Sequence, residues 1–288
     1  MTHGTAFTVA ITLNLLFIGI EFAAGFTARS TALLADAGHN VSDVLGLFLA
    51  WGAAVLARRG PTGRYTYGLR SSSILAALAN AVLLFVACGA IAWEAVQRIG
   101  RPPPVAGNTV MVVAAIGILV NGLSAWLFAR GRTGDLNVRA AFLHLLADAA
   151  VSFGVVIAGL LMSAYGWNWL DPAVSLVIVI VVLVSTWDLL KESTGLALNA
   201  VPARIDASAV EAWLRALPRV ADLHDLHIWG MSTTESALTA HLVLPDGPPD
   251  DAFLDEVARG LERRFGIHHC TLQVERGTLD HECYLHAR

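Results

Sequence analysis

Four residues, repeated as two pairs, are the best suited to chemistry in this sequence. His39 and Asp43 stand four apart within Asp36-Ala-Gly-His39-Asn-Val-Ser-Asp43, and His144-Leu-Leu-Ala-Asp148 repeats the spacing later in the chain. Both pairs lie inside long apolar runs. Residues four apart share one face of an α-helix, so each run presents one imidazole and one carboxylate together. Two such helices facing each other supply two nitrogens and two oxygens, a donor set that suits a tetrahedral, borderline-soft cation such as zinc. The plainer alternative is a set of buried polar residues that tie helices together by hydrogen bonds. An isolated charge at bilayer depth costs roughly 2.5–3.5 kcal/mol even on the lenient insertion scale. Two identical pairs therefore favour a cation site. Metal ligands must be deprotonated, so binding expels protons and weakens as acidity rises. That is a chemical basis for exchanging a cation against protons.

Other polar residues lie at similar depth. Asp36 is two turns before Asp43 on a similar face and suits either a staging post for the cation or, more readily, a helix-end cap or a hydrogen bond. Glu21, Asn14 and Asn121 suit interhelical hydrogen bonding, with a place facing the same cavity as the alternative for Glu21, and Cys88 suits close packing. The last third of the chain is richer in ligand types. If a hairpin turns between Ser232 and Thr233, His224 and His241 are equidistant from the turn and face each other on one side of the strands. His227, three residues on, then falls on the opposite side. Glu275, on a last strand, and His268 just before it can reach a shared edge with that pair.

Elements of two kinds must position these residues. Of 288 residues, 56% are hydrophobic and only 15% charged, and the mean hydropathy is +0.61. Those values exclude an ordinary soluble protein and indicate a polytopic membrane protein. The net charge of −4 and the lack of a basic patch argue against a nucleic-acid partner. Three cysteines without framework spacing argue against a disulfide-stapled fold. Lys191 is the sole lysine and sits in no phosphate-binding motif, so direct use of ATP by this chain is excluded.

Six apolar runs, at roughly 6–27, 33–57, 73–97, 108–129, 139–165 and 172–190, are each long enough to cross about 30 Å of hydrocarbon. Arginines 58, 59, 64, 70, 130, 132 and 139 fall in the loops after the second and fourth runs, against only 29, 98 and 101 in the opposite loops. The positive-inside rule then places both termini in the cytoplasm. After Pro202 the composition becomes that of a soluble protein. The pattern there predicts helix 205–217, strands 220–231 and 236–244, helix 250–265 ended by Gly266, and strand 270–275. The expected architecture is a six-helix transmembrane domain over residues 1–200. A small cytoplasmic α+β domain of αββαβ order follows over 201–288.

The chain resembles the cation diffusion facilitator family, in its zinc-exporting ZitB/CzcD-type branch. The resemblance is carried by Leu33-Leu-Ala-Asp-Ala-Gly-His-Asn-Val-Ser-Asp43, Arg64-Tyr-Thr-Tyr-Gly-Leu-Arg70, Asn137-Val-Arg-Ala-Ala-Phe-Leu-His-Leu-Leu-Ala-Asp148, Asp171-Pro-Ala-Val-Ser175 and His224-Asp-Leu-His-Ile-Trp229. It implies that His39, Asp43, His144 and Asp148 form the transport site of a homodimer in the inner membrane. It further implies zinc export coupled to proton entry by alternating access, with a metallochaperone-like cytoplasmic domain. It implies regulatory or structural zinc at His224, His241, His268 and Glu275. The tail Cys283-Tyr-Leu-His286 is similar to a Cys-x-x-Cys tail that completes a site with a neighbouring protomer. Two departures weaken the expected capture of metal from the cytoplasm. The loop 130–139 lacks a His-rich stretch, and the loop before the third helix lacks acidic or His ligands.

The expectation is thus a proton-coupled zinc exporter that tolerates cadmium or cobalt and is not an enzyme. A transporter chiefly of another divalent metal (cadmium, cobalt, iron or nickel) and a non-transporting metal sensor are the alternatives. An intramembrane metalloprotease would use the same ligand types with an open water position. The sequence has neither a His-Glu-x-x-His motif nor a spare carboxylate beside either pair.

Overall fold

A computed structural model describes residues 3–57, 59–128, 136–247 and 249–277. In hydrocarbon a backbone must satisfy its own polar groups, which long apolar segments do by forming helices. Six helices of 22 to 30 residues follow: α1 His3–Ala28, α2 Thr31–Ala57, α3 Ser72–Ile99, α4 Gly107–Phe128, α5 Leu136–Tyr165 and α6 Leu170–Ala197. Within the described side chains, five are long and apolar enough to span a membrane, and α1 contributes the apolar stretch Thr12–Ala28.

The contacts divide the chain into one unit of 1–48 with 80–187 and a second of 49–79 with 188–288. In the first unit the core runs through Phe17 of α1, Leu33 of α2, Leu84 of α3, Val110 and Ala114 of α4, Val155 of α5 and Val179 of α6. Close approach of α4 and α5 depends on glycine. A Cβ on Gly107 would lie 2.8 Å from the Gly159 carbonyl oxygen, and one on Gly159 would lie 2.8 Å from the Met111 nitrogen. Small residues at a helix interface are the usual means of bringing backbones this near.

The start of α2 is fixed from two directions. Arg29, at φ 57°, ends α1 in a left-handed turn, and Ser30 N donates to Gly25 O at 3.0 Å. Ser30 Oγ then caps α2 by accepting from Leu33 N at 3.1 Å. From the first turn of α6, the fully buried Asp171 accepts from Thr31 N at 2.7 Å, Thr31 Oγ1 at 2.8 Å and Ala32 N at 3.4 Å. Ser30 Oγ also donates to Asp171. The link before α6 carries Trp167 and Trp169, both half-exposed.

The second unit holds α7 Ala207–Arg215, β1 Asp222–Gly230, β2 Ser236–Val243, α8 Asp251–Phe265 and β3 His269–Glu275. Asp206 caps α7 through Ser208 N and Ala209 N, Asp250 caps α8 through Phe253 N, and Gly266, at φ 67°, closes α8. The sheet order is β1-β2-β3, antiparallel between β1 and β2 and parallel between β2 and β3. Leu223, Ile228, Leu238 and Leu242 of the sheet pack on Val210, Leu214, Val257 and Leu261 of the helices. His224 and His241 alternate with these core residues, so they project from the other face. The segment before α3 docks on the β1–β2 turn. Ser71 Oγ donates to Met231 O at 3.3 Å, Thr233 N donates to Ser73 Oγ at 3.1 Å, and Arg70 pairs with Glu235. Gly68, at φ 72°, is required in that segment, because a Cβ there would meet Arg59 O at 2.8 Å.

Candidate metal centres

The first centre lies where α2 and α5 bring their polar faces together. Asp43 Oδ2 is 3.1 Å from His144 Nε2 and 3.7 Å from His39 Nε2. Asp148 approaches the same two nitrogens, at 3.5 Å and 3.6 Å. Imidazole and carboxylate thus alternate around a closed ring of four. For ligands about 2.0–2.1 Å from a tetrahedral ion, adjacent donor atoms lie about 3.3 Å apart. The ring spans that value. His39, His144 and Asp148 offer donor atoms mutually within 4.8 Å, and Asp43 joins them through both imidazoles.

Exposure is graded across the ring, from 9% at the Asp148 side chain to 47% at His144. The two imidazoles meet edge to face at 5.9 Å. His39 Nδ1 is buried and has no hydrogen-bond partner among the described residues.

Buried polar contacts also join α2 to α1 and α5, through Glu21 and Asp36, which the sequence points to, and through Asn40 and Ser152, which it does not. Asn40 Nδ2 donates to Glu21 Oε2 at 3.1 Å, and Ser152 Oγ donates to Asp36 Oδ2 at 3.4 Å. Asp36 and Glu21 are both buried. Asp36, in the second turn of α2, thus takes the hydrogen-bonding role, with Ser152 of α5 as its donor.

The second centre is on the outer face of the sheet. His224 pairs with His241 across β1 and β2, and their rings meet edge to face at 5.0 Å. Glu275 joins them: its Oε2 is 3.1 Å from His224 Nε2 and its Oε1 is 3.0 Å from His241 Nδ1. These three offer donor atoms mutually within 4.8 Å. Burial alone would push the Glu275 carboxyl up, but hydrogen bonds with Gln273 and His224 outweigh it and hold the group below the ordinary carboxylate range. It is therefore ionised, as a metal ligand must be.

Two expectations change here. His268 is not gathered into this cluster. β3 runs parallel to β2, with His269 beside Ala237 and Glu275 beside Val243. His268 and Glu275 consequently sit at opposite ends of a strand about 20 Å long. His268 Nδ1 instead faces Glu262 Oε1 at 3.4 Å. His227, expected on the core side, shares the outer face. The register slips by one residue between His224 and His227, and a one-residue slip exchanges the faces. The extra residue brings in Asp225, at φ 52°, which spacing alone does not flag. Its Oδ1 is 3.0 Å from His227 Nε2 and its Oδ2 is 3.4 Å from His241 Nε2. The tail residues Cys283 and His286 lie outside the described residues.

A bundle of apolar helices with a four-membered His/Asp ring, joined to an α+β domain with its own His/Glu cluster, defines a class of integral membrane protein with two side-chain clusters of metal-ligand type. Comparison with known proteins is consistent with that description. Residues 7–196 match the cation efflux transmembrane domain, and residues 202–277 match the cytoplasmic domain of cation efflux proteins. The chain belongs to the cation efflux, or cation diffusion facilitator, family. It is 38% identical to the zinc transporter ZitB of Escherichia coli over 90% of this chain and 83% of that one. It is 35% identical to the metal cation efflux system protein CzcD of Cupriavidus metallidurans, over 93% and 85%. A cadmium, cobalt and zinc/H(+)-K(+) antiporter of Bacillus subtilis is 34% identical over 91% and 86%.

Proposed function

We propose that this protein exports divalent zinc by proton antiport through the ring of His39, Asp43, His144 and Asp148. The observation that carries the reading is the alternation of two imidazoles and two carboxylates from α2 and α5 at 3.1–3.7 Å. Those spacings suit a tetrahedral cation with nitrogen and oxygen ligands. Each ligand binds only when deprotonated, so protons arriving from an acidic side compete the ion off and return through the same groups. The naming of relatives as transporters of zinc, cadmium and cobalt supports the substrate class.

In this reading the protein is a homodimer in the inner membrane with both termini cytoplasmic. Residues 1–200 form the transport domain and 201–288 the cytoplasmic domain. His224, His241 and Glu275 bind a resident zinc ion that couples cytoplasmic metal to transport, and the tail residues Cys283 and His286 contribute to a separate site completed with the neighbouring protomer.

The test is zinc flux into proteoliposomes under an imposed pH gradient. Gradient-dependent flux in the wild type, lost in Asp43→Ala and in Asp148→Ala, is the expected result. Flux that survives both substitutions would make the ring structural. Tight zinc binding without flux in the wild type would make the protein a sensor.

A further inference from the structure

We propose that Asp225 is a positioning residue for the cytoplasmic metal cluster, fixing the His241 imidazole so that its Nδ1 faces the ion beside His224 and Glu275. This rests on the reading of His224, His241 and Glu275 as a metal site.

The argument starts from the ring of His241. A neutral imidazole carries one N–H, and the nitrogen that binds a metal cannot be the one that carries it. On the Nδ1 side lies Glu275 Oε1 at 3.0 Å, and the other oxygen of the same carboxylate is 3.1 Å from His224 Nε2. Three donor groups converge there. On the Nε2 side lies Asp225 Oδ2 at 3.4 Å, while Asp225 Oδ1 is 3.0 Å from His227 Nε2. The proton therefore belongs on Nε2, directed at Asp225, and Nδ1 is left as the ligand. This is the carboxylate–imidazole–metal arrangement that orients a ligating histidine and raises its basicity.

The backbone is shaped for this purpose. Near its turn, β1 pairs with β2 in the register of Gly230 with Ser236 and His227 with Thr239. Continued regularly, that register would set His224 opposite Leu242, whose side chain is in the core, and His224 would turn inward. One extra residue restores the pairing of His224 with His241 and leaves Asp225 at φ 52°. A left-handed aspartate is uncommon, and such conformations persist where the surroundings over-determine them. Bulges are also a known means of re-aiming a side chain. A single insertion thus brings His224 to the metal face and places a carboxylate behind His241.

The test is zinc and cobalt(II) titration of the full-length protein in detergent, in an Asp43→Ala, Asp148→Ala background that removes the membrane ring. Asp225→Gly keeps the left-handed backbone and deletes the carboxylate, and Asp225→Asn keeps the backbone and one acceptor oxygen but not the charge. The expected result is one ion per chain, lost in His224→Ala and bound about 10- to 100-fold more weakly in Asp225→Gly. Asp225→Asn should fall between, with the cobalt absorption bands shifted in both variants. Unchanged affinity and bands in both Asp225 variants would overturn the inference and leave the metal site standing. Two ions per chain, one of them lost in His227→Ala, would make Asp225 a ligand and overturn the positioning role. Binding that is absent from the background protein, or unaffected by His224→Ala, would overturn the metal site itself.

Discussion

Replacing Asp171 should loosen the start of the helix that carries half of the membrane ring. The carboxylate is fully buried and takes hydrogen bonds from Ser30 Oγ, Thr31 Oγ1 and Thr31 N, with Ala32 N more distant at 3.4 Å. Three bonds at about 0.6 kcal/mol each, the average for interhelical pairs in a membrane, set the lower bound of the loss. About 1.5 kcal/mol each, for donors left buried without an acceptor, sets the upper bound. Asp171→Ala should thus cost about 2–4.5 kcal/mol. Asp171→Asn should cost roughly half as much, since one acceptor oxygen remains while the new amide N–H₂ confronts donors. Thermal unfolding of the purified protein in detergent reads this directly, and Thr31→Val supplies the partner for a double-mutant cycle. If Asp171→Ala unfolds within about 0.5 kcal/mol of the wild type, as an ordinary surface substitution would, the capping role is wrong. His39 lies eight residues beyond Thr31, about 12 Å along the helix. Zinc binding at the ring should therefore persist in whatever fraction of the variant remains folded.

Gly159→Ala should cost about 1–3 kcal/mol by forcing α5 from α4, because its new Cβ would lie 2.8 Å from the Met111 nitrogen. Gly89→Ala, where no atom lies within 4 Å, should instead be neutral or slightly stabilising, and equal unfolding of the two would refute the close-packing account. In the cytoplasmic domain, the hydrogen bond from Arg215, at 2.5 Å, and another from Leu223 N hold the Asp222 carboxyl below its usual range. The stabilisation is therefore present above the unfolded value of about 3.9 and is lost as pH falls through the lower folded value. The difference in stability between wild type and Asp222→Asn should be constant from pH 6 to 8 and shrink below about pH 4. A difference that does not change with pH would refute it.

Much of the His/Asp ring is legible in the sequence. The spacing of His39 with Asp43 and of His144 with Asp148 places each pair on one helical face, and apolar length makes those segments helices. Asp171 shows the limit. It stands in a recognisable motif, but its role as a cap on a helix 140 residues earlier is a relation between segments and has no local signature. His227 shows a different limit. Its expected face followed correctly from a regular strand, and one inserted residue reversed it. His268 differs for a third reason: the extended strand between it and Glu275 turns nearness in sequence into distance in space, and its parallel run beside β2 carries Glu275, not His268, to the His241 end.

The sequence by itself determined that this chain crosses a membrane as helices, carries two His/Asp pairs within them and ends in an αββαβ domain. Those properties arise from periodicity and composition within single segments, where covalent geometry sets which residues share a face. Only the tertiary structure decided that α2 and α5 close their pairs into one ring, that Asp171 anchors α2, and that Asp225 stands behind His241. These depend on contacts between segments remote in sequence, just as glycines 107 and 159 let α4 and α5 approach, β3 runs parallel to β2, and one residue is inserted in β1. A shift of one residue leaves composition and hydropathy unchanged yet exchanges the faces of a strand, so no local pattern records it.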